Sequence, residues 1–275
     1  MPVDVLAEVL DNARLSDDYN VVSLAAPEIA RLARPGQFVM VKPAAGLDPL
    51  LRRPFSVFEV LCAPDGTPHG ITILNKRVGV GTSLLFAARP GDRLACLGPL
   101  GTPFDVVDPP THAWLVAGGV GLAPFATLAA ALTARGTPTT LFYGARRATD
   151  LHRIEIFEPL GVRTLVATED GSRGDHGFIS APLARELDRL DRGADVRLYA
   201  CGPTAMMRAV ASLAARHDRR CDVSLEQTMG CGMGGCYSCV VRVRGDDGHA
   251  HFVRSCVAGP VFDARAILWD DLGGH

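Results

Sequence analysis

The sequence predicts a chain of mixed class: an all-β module, then a parallel α/β module, then a small C-terminal module organised by cysteines. Three observations predict it. Residues 1 to about 105 read as short β-rich runs broken by Pro, Gly and Asp, a spacing that suggests a sandwich or small barrel. From Trp114 onward strands alternate with helices, which implies a parallel sheet. Finally, Cys231, Cys236, Cys239 and Cys256 are separated by gaps of four, two and sixteen residues.

The first module contains the runs VVSLAAP (21–27), QFVMVKP (37–43), PFSVFEV (54–60) and GITILNKR (70–77). Arg52-Arg53-Pro54-Phe55-Ser56 opens one of these strands. The planar fork of Arg53 suits phosphate oxygens, and Ser56 offers a hydroxyl near the same place. Gly79-Val80-Gly81-Thr82 reads as a phosphate-cradling turn. Hairpins carry such residues routinely, so neither motif decides a function alone. DPPTH (108–112) marks a boundary.

In the second module WLVAGGVG (114–121) is a short buried strand ending in glycines, and LAPFATLAAALTARG (122–136) continues as a helix. TTLFYGAR (139–146), RTLVATEDG (163–171) and DVRLYACGP (195–203) are further strands, and DVSLEQ (222–227) leads as a last one into the cysteines. FISAPLARELDRL (178–190) and TAMMRAVASLAARH (204–217) read as helices. Where Gly119 and Gly121 join strand to helix, freed amides and the helix N-terminus make a site for a pyrophosphate. Pro124 suits the first helical turn. The run departs from G-x-G-x-x-G because Pro124 takes the third glycine position. The acidic ribose partner expected about 20 residues further on is missing, and the second strand ends at Arg146-Arg147 instead. Two solvated arginines and a 2′-phosphate contact are both compatible with that, which leaves NADP open beside NAD. Cys201 stands at a strand's carboxyl edge, where open sheets bind ligands; a small buried hydrophobe is the equal alternative.

C-x4-C-x2-C followed by a distant cysteine is the spacing of a plant-type 2Fe–2S site. Gly230, Gly232, Gly234 and Gly235 allow a loop to curl around a small inorganic core and bring amides to the sulfurs. VVRVR (240–244) and HAHFVR (249–254) flank the turn signal GDDG (245–248), so the fourth ligand follows a hairpin. A zinc site usually shows two C-x2-C knuckles or His at fixed spacing, and only one C-x2-C is present. A disulfide framework is expected of small secreted chains. Tyr237 and Ser238 read as loop residues chosen for fit.

Composition narrows the classes. A chain of 275 residues suggests about two domains. A net charge of −2 leaves no electrostatic footprint for nucleic acid. No apolar run reaches the roughly 18 residues that span a membrane, and the N-terminus has no basic region of a signal peptide. Eight cysteines without such a signal suit a reducing cytoplasm.

Taken in order, these motifs resemble the ferredoxin–NADP reductase superfamily. RRPFS followed by G-x-G-T is similar to its flavin-binding barrel, and GGVGLAPF with YACGP is similar to its pyridine-nucleotide domain. The cysteine loop and CVAGPVFDARAI (256–267) narrow the resemblance to the electron-transfer subunit of type B dihydroorotate dehydrogenase. The resemblance implies a flavin-binding β-barrel over 1–107, an NAD-binding α/β domain over 108–224 and a 2Fe–2S module over 225–275. It implies FAD on Arg53, Pro54, Phe55, Ser56, Leu74, Asn75, Lys76, Gly81 and Thr82. The family often carries an aromatic where Asn75 stands. Gly119, Gly121 and Pro124 would shape the NAD pyrophosphate site, with Cys201, Gly202 and Pro203 near the nicotinamide and the four cysteines holding the cluster. No acid–base residue is implied. What is implied is a partner, an FMN-containing catalytic subunit that oxidises dihydroorotate in pyrimidine biosynthesis, in a heterotetramer of two plus two. The second expectation is a related NAD(P)H-dependent subunit serving sulfite reductase, a hydrogenase or a ferredoxin–NADP reductase complex.

Overall fold

The computed structural model of the protein describes residues 1–44, 46–191 and 193–272. The first module is an antiparallel sheet of seven strands: β1 (Val3–Arg14), β2 (Tyr19–Ala25), β3 (Phe38–Lys42), β4 (Arg53–Ser56), β5 (Val60–Cys62), β6 (Pro68–Lys76) and β7 (Arg93–Leu100). They lie in the order β4-β3-β7-β1-β2-β6-β5. Between β4 and β5 the chain crosses the open side. Val57 N–H donates to Gln37 O at 3.0 Å on one edge and Phe58 N–H donates to Thr72 O at 2.9 Å on the other. That crossing curls the sheet into a barrel.

Sequence reading missed β1 and β7. Acidic residues interrupt β1, yet its inward side chains Ala7 and Val9 are fully buried, the alternation of a one-sided strand. It also missed two helices, α1 (Pro27–Leu32) and α2 (Val80–Ala87). The glycine-rich turn at 79–82 is therefore a helix start. Thr82 Oγ1 accepts from the Val78 and Gly79 amides at 2.9 Å each, and Leu85 and Phe86 anchor the helix in the barrel.

The second module is a parallel sheet formed by β8 (His112–Gly118), β9 (Thr139–Ala145), β10 (Arg163–Thr168), β11 (Asp175–His176), β12 (Val196–Cys201) and β13 (Arg220–Ser224). Helices α3 (Phe125–Ala134), α4 (Ser180–Arg189) and α5 (Thr204–Arg216) connect them. The strand order is β11-β10-β9-β8-β12-β13. The order reverses between β8 and β12, so a crevice opens beyond their carboxyl ends, where such sheets bind ligands.

After the cysteine loop come the hairpin β14 (Val240–Arg244) and β15 (Ala250–Arg254), the single turn α6 (Ser255–Ala258) and β16 (Val261–Asp263). β16 pairs antiparallel with β13, so this stretch lends a strand to the α/β sheet. Val241, Val243, Ala264 and Ile267 join that sheet's core. Tyr19, Val21, Phe58 and Leu74 of the barrel share another core with Leu115, Ala117 and Leu122 of the α/β module. No helix among the described residues is long and apolar enough to cross a membrane.

Candidate functional site for flavin, nucleotide and cluster

The β4 motif and the α2 start, distant in sequence, meet in space. A Cβ on Gly81 would lie 3.0 Å from Arg53 Cγ and 3.3 Å from its Nε. The first turn of a helix carries unpaired N–H groups and partial positive charge. A half-buried guanidinium laid against it makes a cradle for a diphosphate. This donor set, Arg53 with the first-turn amides of α2, fits the phosphates of FAD. Pro54, Phe55 and Ser56 continue β4 opposite Met40, Val39 and Phe38 of β3.

The end of β6 divides its residues between two faces. Leu74 is buried in the core shared with the α/β module. Lys76 Nζ lies 5.4 Å from the centre of the Tyr19 ring, and that ring packs on His152 at 4.6 Å. Asn75 is fully buried and faces α2. It donates to Asn20 Oδ1 at 2.7 Å and to Thr82 O at 3.0 Å. Asn20 donates in turn to Asn12 Oδ1 at 2.6 Å, and Asn12 to Ala88 O at 2.7 Å. Three amides thus fasten both ends of α2 to β1, β2 and β6. Asn75 is thus a support of α2. Sequence reading missed Asn12 and Asn20, because only tertiary structure brings them together.

At the sheet's switch point, Gly118–Leu122 makes a tight turn in which Gly119 takes φ +54°. Gly202, at φ +147°, packs against it, and a Cβ there would sit 2.9 Å from Gly118 N. A Cβ on Gly121 would overlap the Cys201 carbonyl. Glycine is required on both sides because Gly121 and Gly202 each face backbone of the opposite loop. Pro124 immediately precedes α3. The glycine-lined crevice fits a dinucleotide pyrophosphate. The Cys201 side chain is 2% exposed, and burial pushes its thiol pKa up. Its carbonyl, with Gly202 and Pro203, therefore forms the wall, while the sulfur packs inward. Arg146 and Arg147 follow β9 at the surface, and Arg147 Nε lies 3.6 Å from Asp150.

The cysteine loop sits against the barrel. Gly232 and Gly234 take φ +73° and +83°, and a Cβ on Gly232 would lie 2.5 Å from Met40 Cγ. Cys231 Sγ accepts from the amides of Met233 at 3.4 Å and Gly235 at 3.3 Å. The Cys256 amide donates to Cys239 Sγ at 3.4 Å. Ser238 accepts from the Gly230 amide at 2.8 Å and lies 3.3 Å from Cys236 Sγ. Hydrogen bonds from Ser238 hold the Cys236 thiol down at about 6, whereas burial pushes Cys256 up to about 12. Burial divides the four cysteines into an inner pair, Cys239 and Cys256, and an outer pair, Cys231 and Cys236. Among the described residues no three His, Cys, Asp or Glu side chains converge on one ion. Four thiols, with backbone amides on the Cys231 and Cys239 sulfurs, fit an iron–sulfur core. The Cys239–Cys256 pair is buried with Phe38, Met40, Leu97 and Leu100 of the barrel. The other pair is the outer one, with Cys236 exposed.

Fold and site together define an NAD-linked oxidoreductase of the ferredoxin reductase type. Residues 115–212 match the oxidoreductase NAD-binding domain, and residues 226–268 match the iron–sulfur cluster binding domain of dihydroorotate dehydrogenase B. Curated relatives named dihydroorotate dehydrogenase B (NAD(+)), electron transfer subunit, align over almost their whole length. The protein from Desulforamulus reducens is 36% identical over 265 residues, covering 96% of this chain and 98% of the relative. That of Bacillus caldolyticus is 40% identical over 250 residues, covering 90% and 91%. The chain belongs to this family of electron-transfer subunits. Among solved structures, an NADH-dependent reduced ferredoxin–NADP oxidoreductase involved in flavin-based electron bifurcation superposes with TM-score 0.82 at 29% identity, over 98% of this chain and 91% of that one. A ferredoxin–NADP+ reductase from Neisseria gonorrhoeae shares the fold at TM-score 0.65 and 17% identity, over 78% and 91%.

Proposed function

We propose that the chain carries electrons between NAD and dihydroorotate oxidation, the latter performed on an FMN-bearing partner subunit, through FAD and a 2Fe–2S cluster of its own. Nicotinamide exchanges a hydride, the cluster exchanges single electrons, and FAD does both. The protein supplies placement. Arg53, Pro54, Phe55, Ser56, Leu74, Lys76, Gly81 and Thr82 hold the flavin, with Asn75 acting through α2. Gly119, Gly121, Pro124, Cys201, Gly202 and Pro203 shape the nucleotide crevice. Cys231, Cys236, Cys239 and Cys256 ligate the irons. The working units are 1–107, 108–224 and 225–275, in a complex of two plus two subunits in the cytoplasm.

One observation carries this reading. The inner thiol pair packs on Met40 of β3, β3 pairs directly with the flavin-motif strand β4, and Cys236 of the outer pair is exposed. The cluster loop thus lies between a flavin strand and the surface. Anaerobic purification of the chain with its partner should give FAD, iron and sulfide on this subunit and NAD-dependent dihydroorotate oxidation. A chain that binds zinc and no flavin would contradict the proposal. A second reading is service to a different partner, as the likeness to the NADH-dependent ferredoxin–NADP oxidoreductase suggests, but the relatives at 36% and 40% identity weigh against it. Co-purification from the native cell separates the two, since an FMN-bearing dihydroorotate dehydrogenase as partner excludes it.

A further inference from the structure

We infer that Arg254 is a positioning residue that clamps the cysteine loop and, through its fixed positive charge, raises the reduction potential of the cluster held there. The inference rests on the cluster reading above.

Arg254 ends β15, two residues before Cys256. Its Nη1 donates to Gly234 O at 2.9 Å, and its guanidinium carbon lies 5.1 Å from the centre of the Tyr237 ring. Gly234 falls between Cys231 and Cys236, and Tyr237 between Cys236 and Cys239. One side chain from the strand that leads to the fourth cysteine therefore grips both spans of the three-cysteine loop. The loop is shaped to receive it. Gly234 has no room for a side chain, since a Cβ there would lie 2.8 Å from Val257 Cγ2 and 3.3 Å from Arg254 Nη1. Tyr237 takes φ +58°, a region costly for any residue with a Cβ. Tyr237 is 64% exposed, so its ring meets the guanidinium and is not buried in the core.

A carbonyl and an aromatic face orient the guanidinium without cancelling its charge. Arg254 is half-buried, so salt screens it incompletely. Reduction adds one negative charge to an iron–sulfur core, and a nearby cation stabilises the reduced form; net charge is one of the levers on such potentials. Arginine stays charged at every working pH, and its planar fork suits simultaneous carbonyl and ring contacts.

The test uses the full-length chain, purified anaerobically, as wild type, Arg254→Gln and Arg254→Lys. Iron and sulfide content is measured first, then the midpoint of the cluster's reduction by EPR-monitored titration. Arg254→Gln should retain iron while its reduction equilibrium shifts at least about tenfold toward the oxidised form, or 59 mV for a one-electron couple. Arg254→Lys, which keeps the charge, should stay near the wild-type midpoint. An iron-replete Arg254→Gln with an unchanged midpoint overturns the inference, as does a lysine variant that falls as far as the glutamine one. Should Arg254→Gln fail to hold a cluster, the lysine variant decides: an intact cluster at the wild-type midpoint supports the inference, and a lowered midpoint or a lost cluster overturns it. A wild-type chain without iron would instead contradict the cluster reading itself.

Discussion

At the scale of residues, the site is built from positions where a side chain is excluded and positions where an amide is indispensable. Gly121 is of the first kind, because its missing Cβ faces the Cys201 carbonyl. Gly121→Ala should push the two crevice loops apart. We expect reduction of the bound flavin by NADH to require roughly tenfold more NADH, from about 1–3 kcal/mol of overpacking, with FAD and iron content unchanged in stopped-flow and metal assays. Asn20 is of the second kind. Asn20→Leu leaves the Asn12 Oδ1 acceptor without its donor and takes from the Asn75 amide one of its two acceptors, at about 1–3 kcal/mol. Chemical denaturation should show that loss, and equilibrium dialysis should show weaker FAD retention. The glycines were legible in the sequence because a strand–glycine–helix run has a direct physical reading. The asparagine ladder was not, since its links span 8 and 55 residues of chain and asparagine in a strand carries no signal of its own.

At the scale of elements, helix α2 and the cysteine loop decide how the flavin and the cluster sit. The sequence marked 79–82 as a phosphate-cradling turn, and the structure puts these residues at the start of helix α2. Leu85 and Phe86, which make it a helix, are short of a full amphipathic repeat, so periodicity alone could not announce it. The spacing of the cysteines and the hairpin before Cys256 were legible, because ligand spacing and turn residues are local. The seat of the loop on Met40 was not, since β3 lies far away in sequence. Gly232→Ala forces a Cβ onto the Met40 side chain. Iron analysis should find this variant depleted of cluster while its flavin absorbance remains.

At the scale of the whole molecule, the modules are joined through shared cores and an ionic junction in which a buried pair, Arg197 and Asp222, reaches the exposed carboxylate of Asp105. Arg197 of β12 donates to Asp222 of β13 at 2.6 Å and to Asp105 of the inter-module linker at 2.8 Å. Tyr199 donates to the Asp105 carbonyl at 2.7 Å. Breaking such a buried pair from one side leaves an uncompensated charge, so Arg197→Met should cost about 3–5 kcal/mol in denaturant unfolding. The order of the three modules was readable from the change of hydrophobic period at Trp114. The return of β16 to the α/β sheet was not, because a three-residue strand beside a proline has no period to read. That return clamps the segment after Cys256 onto the barrel's exit, where Thr102 N–H donates to Gly259 O at 2.6 Å, and so holds the cluster loop between flavin strand and surface.

The central claim is that electrons meet NAD at the flavin and leave or enter through the cysteine loop. Cys236→Ser in the complex with the dihydroorotate-oxidising partner tests it most directly. We predict that electron flow from dihydroorotate to NAD+ is lost together with the cluster, while FAD stays bound and NADH oxidation by an artificial acceptor continues at the wild-type rate. Loss of acceptor activity with FAD still bound, or dihydroorotate-to-NAD+ flow that persists without the cluster, would contradict the account.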